Sequence, residues 1–210
     1  MKILLLGLLV LSIQGKTSHI EESFSNNTIT VSDWELAKNK DGIKVHTRQS
    51  AGSKIKEFKA VTTVSCEMKS LEDIIDKVED YSSWQKNIAT SKVLMEEDTN
   101  KSFVYLTTKM PMLISNRDVV LYSVKSLDTQ GVLTYALKSS SSYGNKKEGF
   151  IRMTSVRGKW QFTPKQGGKI EVVNQFYGNP EGDLPTWLIN AFIVDGPYET
   201  LANLKGLVND

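Results

Sequence analysis

Asn179–Asn190 reads NPEGDLPTWLIN, and the way this stretch starts a helix decides how the rest of the chain is read. Pro185 suits a first helical turn, where its missing N–H would have no partner anyway, and Asp183 is a candidate cap. Beyond it Leu188, Phe192, Asp195, Tyr198, Leu201 and Leu204 recur at three- or four-residue spacing, the period of one helix face. Pro197 removes a backbone donor inside this run, which predicts a kink or a split into two parts. A long helix is expected here.

Upstream the period changes to two. SFVYLTT, DVVLYSVKSL, VLTYALKSS, GFIRMTSVRGKWQFTP and KIEVVNQFYG are rich in Val, Tyr, Phe and Thr, with Gly131, Gly144, Gly167 and Gly168 at turn-like positions between them. Consecutive strands with hairpin-sized connections imply an antiparallel sheet. Further back, SLEDIIDKVED puts Leu71, Ile74, Ile75 and Val78 on one helical face, with Ser70 and Asp73 spaced as a capping box. YSSWQKN extends or closes that helical region. GIKVHTRQS alternates, with Ile43, Val45 and Thr47 on one face, and KEFKAVTTVS follows after Gly52 as its hairpin partner. VSDWELAKNK, Val31–Lys40, reads as a short helix capped by Ser32, ended by the Asp41–Gly42 turn. The order describes an α+β domain in which a strongly curved antiparallel β-sheet grips a long C-terminal helix.

The 210 residues suit one domain, and 40% hydrophobic with 24% charged residues excludes disorder of the whole chain. Twenty-six basic and 24 acidic residues are interspersed for a formal net charge of +2, so no basic stripe is available for phosphate backbones and no nucleic-acid partner is expected. Lys2 precedes an apolar run from Ile3 to Ile13 that is shorter than the roughly 20 residues needed to span a bilayer. This matches a secretory signal peptide over residues 1–15, with cleavage after Gly15. Residues 16–32 read as a flexible lead-in that includes an Asn26–Thr28 sequon, and 33–210 as the domain. The expected location is outside the cytoplasm, periplasmic or secreted. Cys66 is the single cysteine, read as a structural thiol.

Particular residues within this order resemble the START lipid-transfer family. NPEGDLPTWLIN is similar to the family's D-P-G-G-x-(I/L)-P-x-W-L-(I/V)-N approach to its last helix, agreeing at Pro180, Gly182, Leu184, Pro185, Trp187, Leu188, Ile189 and Asn190. Arg117 and Asp118 in SNRDVV resemble the R-D pair opening a central strand. WELAKNKDGIKVHTR is similar to the opening tryptophan and the G-(I/V)-x-(V/I)-(Y/H)-x-R strand, with weaker support from EGFIRM and Trp84. Glu181 departs from the pattern by standing where the family commonly has glycine, so a slightly different turn is expected. Sterol-binding members use a buried acid and base, whereas the roughly corresponding Thr107 and Ser123 are uncharged, which argues against a sterol. The match implies a helix-grip fold, and with the leader it suggests an exported bacterial member.

What the resemblance implies about function is an internal apolar cavity closed by the last helix and a gate loop, KMPMLISNRD, with Met110, Met112, Leu113 and Ile114 repacking around a passing lipid. The expected contacts are Phe103, Tyr105 and Thr107 on one strand, Leu121 and Ser123 on the next, and Asn174 and Phe176 on the last. Trp187, Ala191, Val194, Tyr198 and Leu201 are expected from the helix. Arg117 and Arg152 are candidate orienting groups for a polar head, although such residues more often bond loop backbone. The partner would be a lipid or other hydrophobic small molecule, with transient membrane contact, and the protein a monomer. No metal, cofactor or catalytic residue is expected: His19 and His46 are the only histidines, and no zinc or phosphate-loop motif appears. Two other functions compete with the carrier: an enzyme of cyclase, aromatase or hydrolase type on the same scaffold, with Arg117, Tyr105 and Asn174 converging, and an interaction module whose cavity has collapsed.

Overall fold

The computed structural model describes residues 33–111, 113–141 and 143–209. The leader, the lead-in, the Ser32 cap and Met112 lie outside the described residues. Three strands open the domain, β1 (Glu35–Lys40), β2 (Ile43–Gln49) and β3 (Lys56–Ser65). A helical layer follows: α1 (Met68–Asp76), a 3₁₀ turn Val78–Asp80 and α2 (Tyr81–Trp84). Then come β4 (Ile88–Asp98), β5 (Lys101–Thr108), β6 (Asn116–Leu127), β7 (Leu133–Ser139), β8 (Phe150–Arg152), β9 (Val156–Lys165) and β10 (Lys169–Gly178). The terminal helix consists of α3 (Thr186–Asn190), a wider π-type turn Ala191–Asp195 and α4 (Gly196–Asn209). The strand order is β1-β2-β3-β10-β9-β7-β6-β5-β4, antiparallel throughout, with β8 alone lying parallel beside the start of β6. This is the α+β arrangement of curved antiparallel sheet and C-terminal helix read from the sequence.

Three local expectations are corrected, and one strand is added. Glu35–Lys40 is an edge strand paired with β2, not a helix. Leu36 is its only large apolar side chain, so a helix here would have had no face to bury. The first helix starts at Met68 with Glu67 extended at the capping position, which places Ser70 inside the helix, and no capping box forms. GFIRMTSVRGKWQFTP is two strands: β8 crosses to pair with β6 while β9 pairs with β7, and the chain breaks at Met153–Ser155 to make the switch. Strand β4 escapes the alternation reading because it is an edge strand, largely exposed, with three irregularities in its pairing with β5.

The C-terminal helix starts one residue later than expected. Pro185 holds the capping position at φ −58°, ψ 139°, and Asp183 makes no cap. Pro197 acts as expected, with a specific geometry. Its ring collides with a regular helical carbonyl four residues back and it offers no N–H; the turn ahead widens, the Gly196 N–H bonding to Ala191 O.

One end of the sheet is filled. Ile43, Val45, Val172, Phe162, Leu201 and Leu204 are each fully buried, and Trp160 stacks on Phe162 with ring centroids 6.2 Å apart. A second cluster, Val104, Leu106, Val119, Leu121 and Val156, lines the other part of the wall. The hollow lies against it.

Candidate functional site

Between the sheet and the terminal helix lies a cavity of about 450 Å³. Its sheet wall includes Phe58 of β3, Val93 of β4, Val104 and Leu106 of β5, Val119, Leu121 and Ser123 of β6, Leu137 of β7, Val156 and Trp160 of β9, and Asn174 and Phe176 of β10. The helix contributes Ile189, Phe192, Ile193, Pro197 and Thr200. Gly158, in the middle of β9, makes room for one of these groups: a Cβ there would fall 2.4 Å from Phe176 Cδ1 and 2.5 Å from Gln175 O. A glycine inside a strand pattern signals such close approach, and Gly158 carries that signal in GKWQF.

The expected contacts divide cleanly. Met110, Leu121, Ser123, Asn174, Phe176 and Arg117 border the cavity. Phe103, Tyr105 and Thr107 do not, because β5 presents its other face inward, namely Ser102, Val104, Leu106 and Thr108. Phe103 stacks with Tyr143 instead, and Thr107 Oγ1 lies 2.7 Å from Thr90 Oγ1. The helix meets the cavity with a different face from the expected one: Trp187 is 62% exposed, Val194 is off the wall, Leu201 is sealed into the core, and the Tyr198 hydroxyl donates to Asp41 Oδ2 at 2.5 Å. Ala191 borders a separate surface groove.

That groove, about 610 Å³, runs between the β5–β6 loop and the helix, bordered by Lys109, Met110, Pro111, Trp187, Leu188 and Ala191. Met110, Phe192, Asn87, Ile88, Lys86 and Gly196 border both groove and cavity, so they form the partition between them. Gly196 permits the closest approach, since a Cβ there would meet Asn87 Nδ2 at 2.9 Å. In the loop, Leu113 is fully exposed with φ +72°, while the Met110 N–H donates to Asn116 Oδ1 at 3.0 Å.

The polar groups around the site are of two kinds. Most are saturated. Arg117, 3% exposed, donates to Pro180 O and Glu181 O at 3.0 Å and to Ser115 O at 2.5 Å. Asp118, on the opposite face, accepts a forked pair from Arg152 at 3.0 and 2.9 Å and a bond from the Tyr105 hydroxyl at 2.9 Å. Burial alone would raise the Asp118 carboxyl, but the bonds from Arg152 and Tyr105 outweigh it and hold the group below the usual range. Burial, and then Asp118, push the Tyr105 phenol up to about 12. Arg152 therefore sits outside the cavity in a structural cluster. Tyr105, Arg117 and Asn174 do not converge as an acid–base set.

At the far end of the cavity, Lys125 pairs with Glu72 and Asp76 at 2.5 and 2.7 Å, and Tyr135 donates to Asp76 at 2.8 Å. Two carboxamides bordering the cavity are different: Asn174 Oδ1 and Gln85 Nε2 are buried without a hydrogen-bond partner. Cys66 is half-buried against the core, and burial pushes its thiol up, away from a reactive thiolate.

The fold that holds this cavity is shared with known proteins. The sequence profile of the START domain matches residues 16–203. The chain belongs to the START family. An uncharacterised protein of Pseudomonas aeruginosa is 33% identical over 173 residues, 82% of this chain and 85% of that protein. Human phosphatidylcholine transfer protein is 26% identical over 166 residues, 75% of each chain. The crystal structure of a STAR-related lipid transfer protein from Xanthomonas axonopodis superposes with a TM-score of 0.76 at 25% identity, covering 84% of this chain and 99% of that one. Membership in a lipid-binding family accounts for the hollow. It also explains the turn at Glu181: the residue standing where START proteins carry glycine keeps a glycine-like backbone, with φ +55°, and its N–H is held by Asn179 Oδ1 at 3.0 Å.

Proposed function

We propose that this START protein is a noncatalytic carrier of a lipid-like molecule, acting outside the cytoplasm as a monomer. The observation that carries the reading is the 450 Å³ cavity, walled by valine, leucine and phenylalanine and bordered by unsatisfied carboxamides. The lipid-transfer names of its relatives support the same class of ligand. The Lys2-led apolar run supports export.

Uptake and release pass through the partition between cavity and groove. Met110 and Phe192 move apart there, since both border the two spaces and neither is held by a polar bond through its side chain. The exposed Leu113 and Trp187 flank the opening and enter the membrane surface during transfer. The test is purification of the exported protein followed by solvent extraction and mass spectrometry, with transfer of a fluorescent lipid between vesicles measured in parallel. One apolar molecule per protein and transfer above the uncatalysed rate are expected. Ligand-free protein that also fails to load from a broad lipid panel would overturn the proposal.

A further inference from the structure

Charges that are interspersed along the chain are sorted by the strand pairing onto one face of the sheet. Val45, Ala60, Asn174, Trp160 and Tyr135 are buried and form one row of partners across β2, β3, β10, β9 and β7. Side chains alternate along a strand, so the neighbours of this row point outward, away from the cavity. Those outward positions carry Lys44 and Arg48 on β2, Lys59 on β3, Arg157 and Lys159 on β9, and Lys138 on β7. Glu57 is the single carboxylate among them. Five strands spaced about 4.8 Å apart make this block about 19 Å across. It holds six cations against one carboxylate, in a chain whose formal net charge is only +2.

The block does not neutralise itself. Glu57 pairs with Arg48 and lies 3.9 Å from Arg157. Lys159 bonds only the neutral Gln161 Oε1, at 2.8 Å, while Lys59 and Arg48 lie over the Trp34 ring at 4.6 and 4.3 Å. Burial, then Arg48 and Lys159, hold the Lys59 ammonium below the usual lysine range. Arg157 stands directly opposite Lys138, and like charges so placed destabilise a strand pair. An anionic surface laid on this face removes that repulsion. Its chemistry is that of headgroups more than of a protein partner. Protein interfaces are anchored by apolar and aromatic side chains, and the large exposed apolar residues Leu36, Met95, Leu113, Leu127, Trp187 and Leu207 all lie off these five strands. The site also faces the right way. Arg48 is near the end of β2, Lys138 near the end of β7 and Arg157 near the start of β9. The chain leaves this same end of the sheet toward α3, where the Asn179 N–H donates to Ser155 O at 2.9 Å.

We propose that the outer face of β2, β3, β10, β9 and β7 docks the protein on a bilayer bearing anionic phospholipid, whose phosphates meet Lys59, Lys159, Arg157 and Lys138. The surface uses no cavity residue of the carrier reading and adds a membrane preference to it. The experiment is co-sedimentation of the protein with vesicles of phosphatidylcholine, alone or with one-third phosphatidylglycerol. At low salt the anionic vesicles should bind about tenfold tighter or better, and the preference should vanish at high salt as screening shortens. Each basic residue near such a surface is worth about fivefold in affinity, so Lys138→Gln should lose about fivefold and Lys138→Glu about 25-fold. Lys138→Glu also places a carboxylate opposite Arg157, so its melting temperature should hold or rise, which separates lost docking from lost folding. Lys77→Gln removes the same charge from the exposed end of α1 and should leave binding unchanged. Equal binding to both kinds of vesicle overturns the proposal, as does a Lys77→Gln loss as large as that of Lys138→Gln, which would make net charge rather than this face the cause. Binding to neither vesicle overturns it in favour of an acidic protein partner. Loading of a fluorescent lipid from neutral vesicles should be equal in Lys138→Glu and unmodified protein, so the carrier reading stands or falls separately.

Discussion

The two halves of the terminal helix are held in opposite ways. In α4, Leu201 and Leu204 are fully buried, the half lies on β2 and β3, and polar bonds reinforce it: Asn203 Nδ2 donates to Trp84 O at 2.8 Å and Lys205 Nζ to Asp41 O at 2.9 Å. In α3 five residues make the helix, Leu188 is the one deeply buried side chain among those described, Trp187 faces outward, and the following π-type turn buries none of its residues. Helical stability in so short a segment comes from packing, and α3 has little of it. Under the carrier reading proposed above, α4 would be the anchor and α3 the lid of one continuous element, with the widened turn ahead of Pro197 as the joint between them.

Equal truncations on the two sides should cost very different amounts. Leu201→Ala removes a side chain with packed neighbours all round and is expected to lower unfolding free energy by about 2–5 kcal/mol. Ile189→Ala deletes atoms that face the cavity, so fewer contacts are lost and less than about 1 kcal/mol is expected. Urea denaturation of ligand-free protein checks both; similar costs would erase the distinction between anchor and lid. Arg117→Ala comes next. It frees the carbonyls of Pro180 and Glu181, which tie the approach to α3 onto β6, and should cost about 2–3 kcal/mol as charge-assisted bonds are lost. Hydrogen exchange should rise at residues 179–190 and stay unchanged in α4. Arg117→Lys should recover only part of the loss, since an ammonium cannot reach three carbonyls with a planar fork.

The anchor was more legible than the lid for the same physical reasons. Leu201 and Leu204 stand out because burial and helical spacing coincide, and Ile43, Val45 and Thr47 alternated in the sequence as they do in β2. Pro197 announced the joint. Which face of the helix meets the cavity is not readable from spacing alone: the inward residues are Ile189, Phe192, Ile193 and Thr200, not Trp187, Val194 and Tyr198, and both sets recur at three- or four-residue intervals. On β5 the alternation Phe103, Tyr105, Thr107 was correct as a periodicity, but both of its faces carry apolar residues, so nothing local said which one was concave. On β6 and β10 the alternation picks out Leu121, Ser123, Asn174 and Phe176, and all four border the cavity. Asp118 was invisible as a cluster because Tyr105 and Arg152 reach it only across strand pairings.

The smallest stability effect should carry the largest change in transfer. Trp187 is 62% exposed on the lid and borders only the outer groove, so Trp187→Ala should alter unfolding free energy by within about 0.5 kcal/mol. Lipid affinity in solution should be unchanged, since the indole does not border the cavity. Transfer between vesicles should slow severalfold, because an aromatic ring with one polar edge suits the membrane interface, where the lid has to open. A loss of affinity without loss of transfer rate would mean that the indole turns inward onto the ligand, and α3 would then belong to the binding wall.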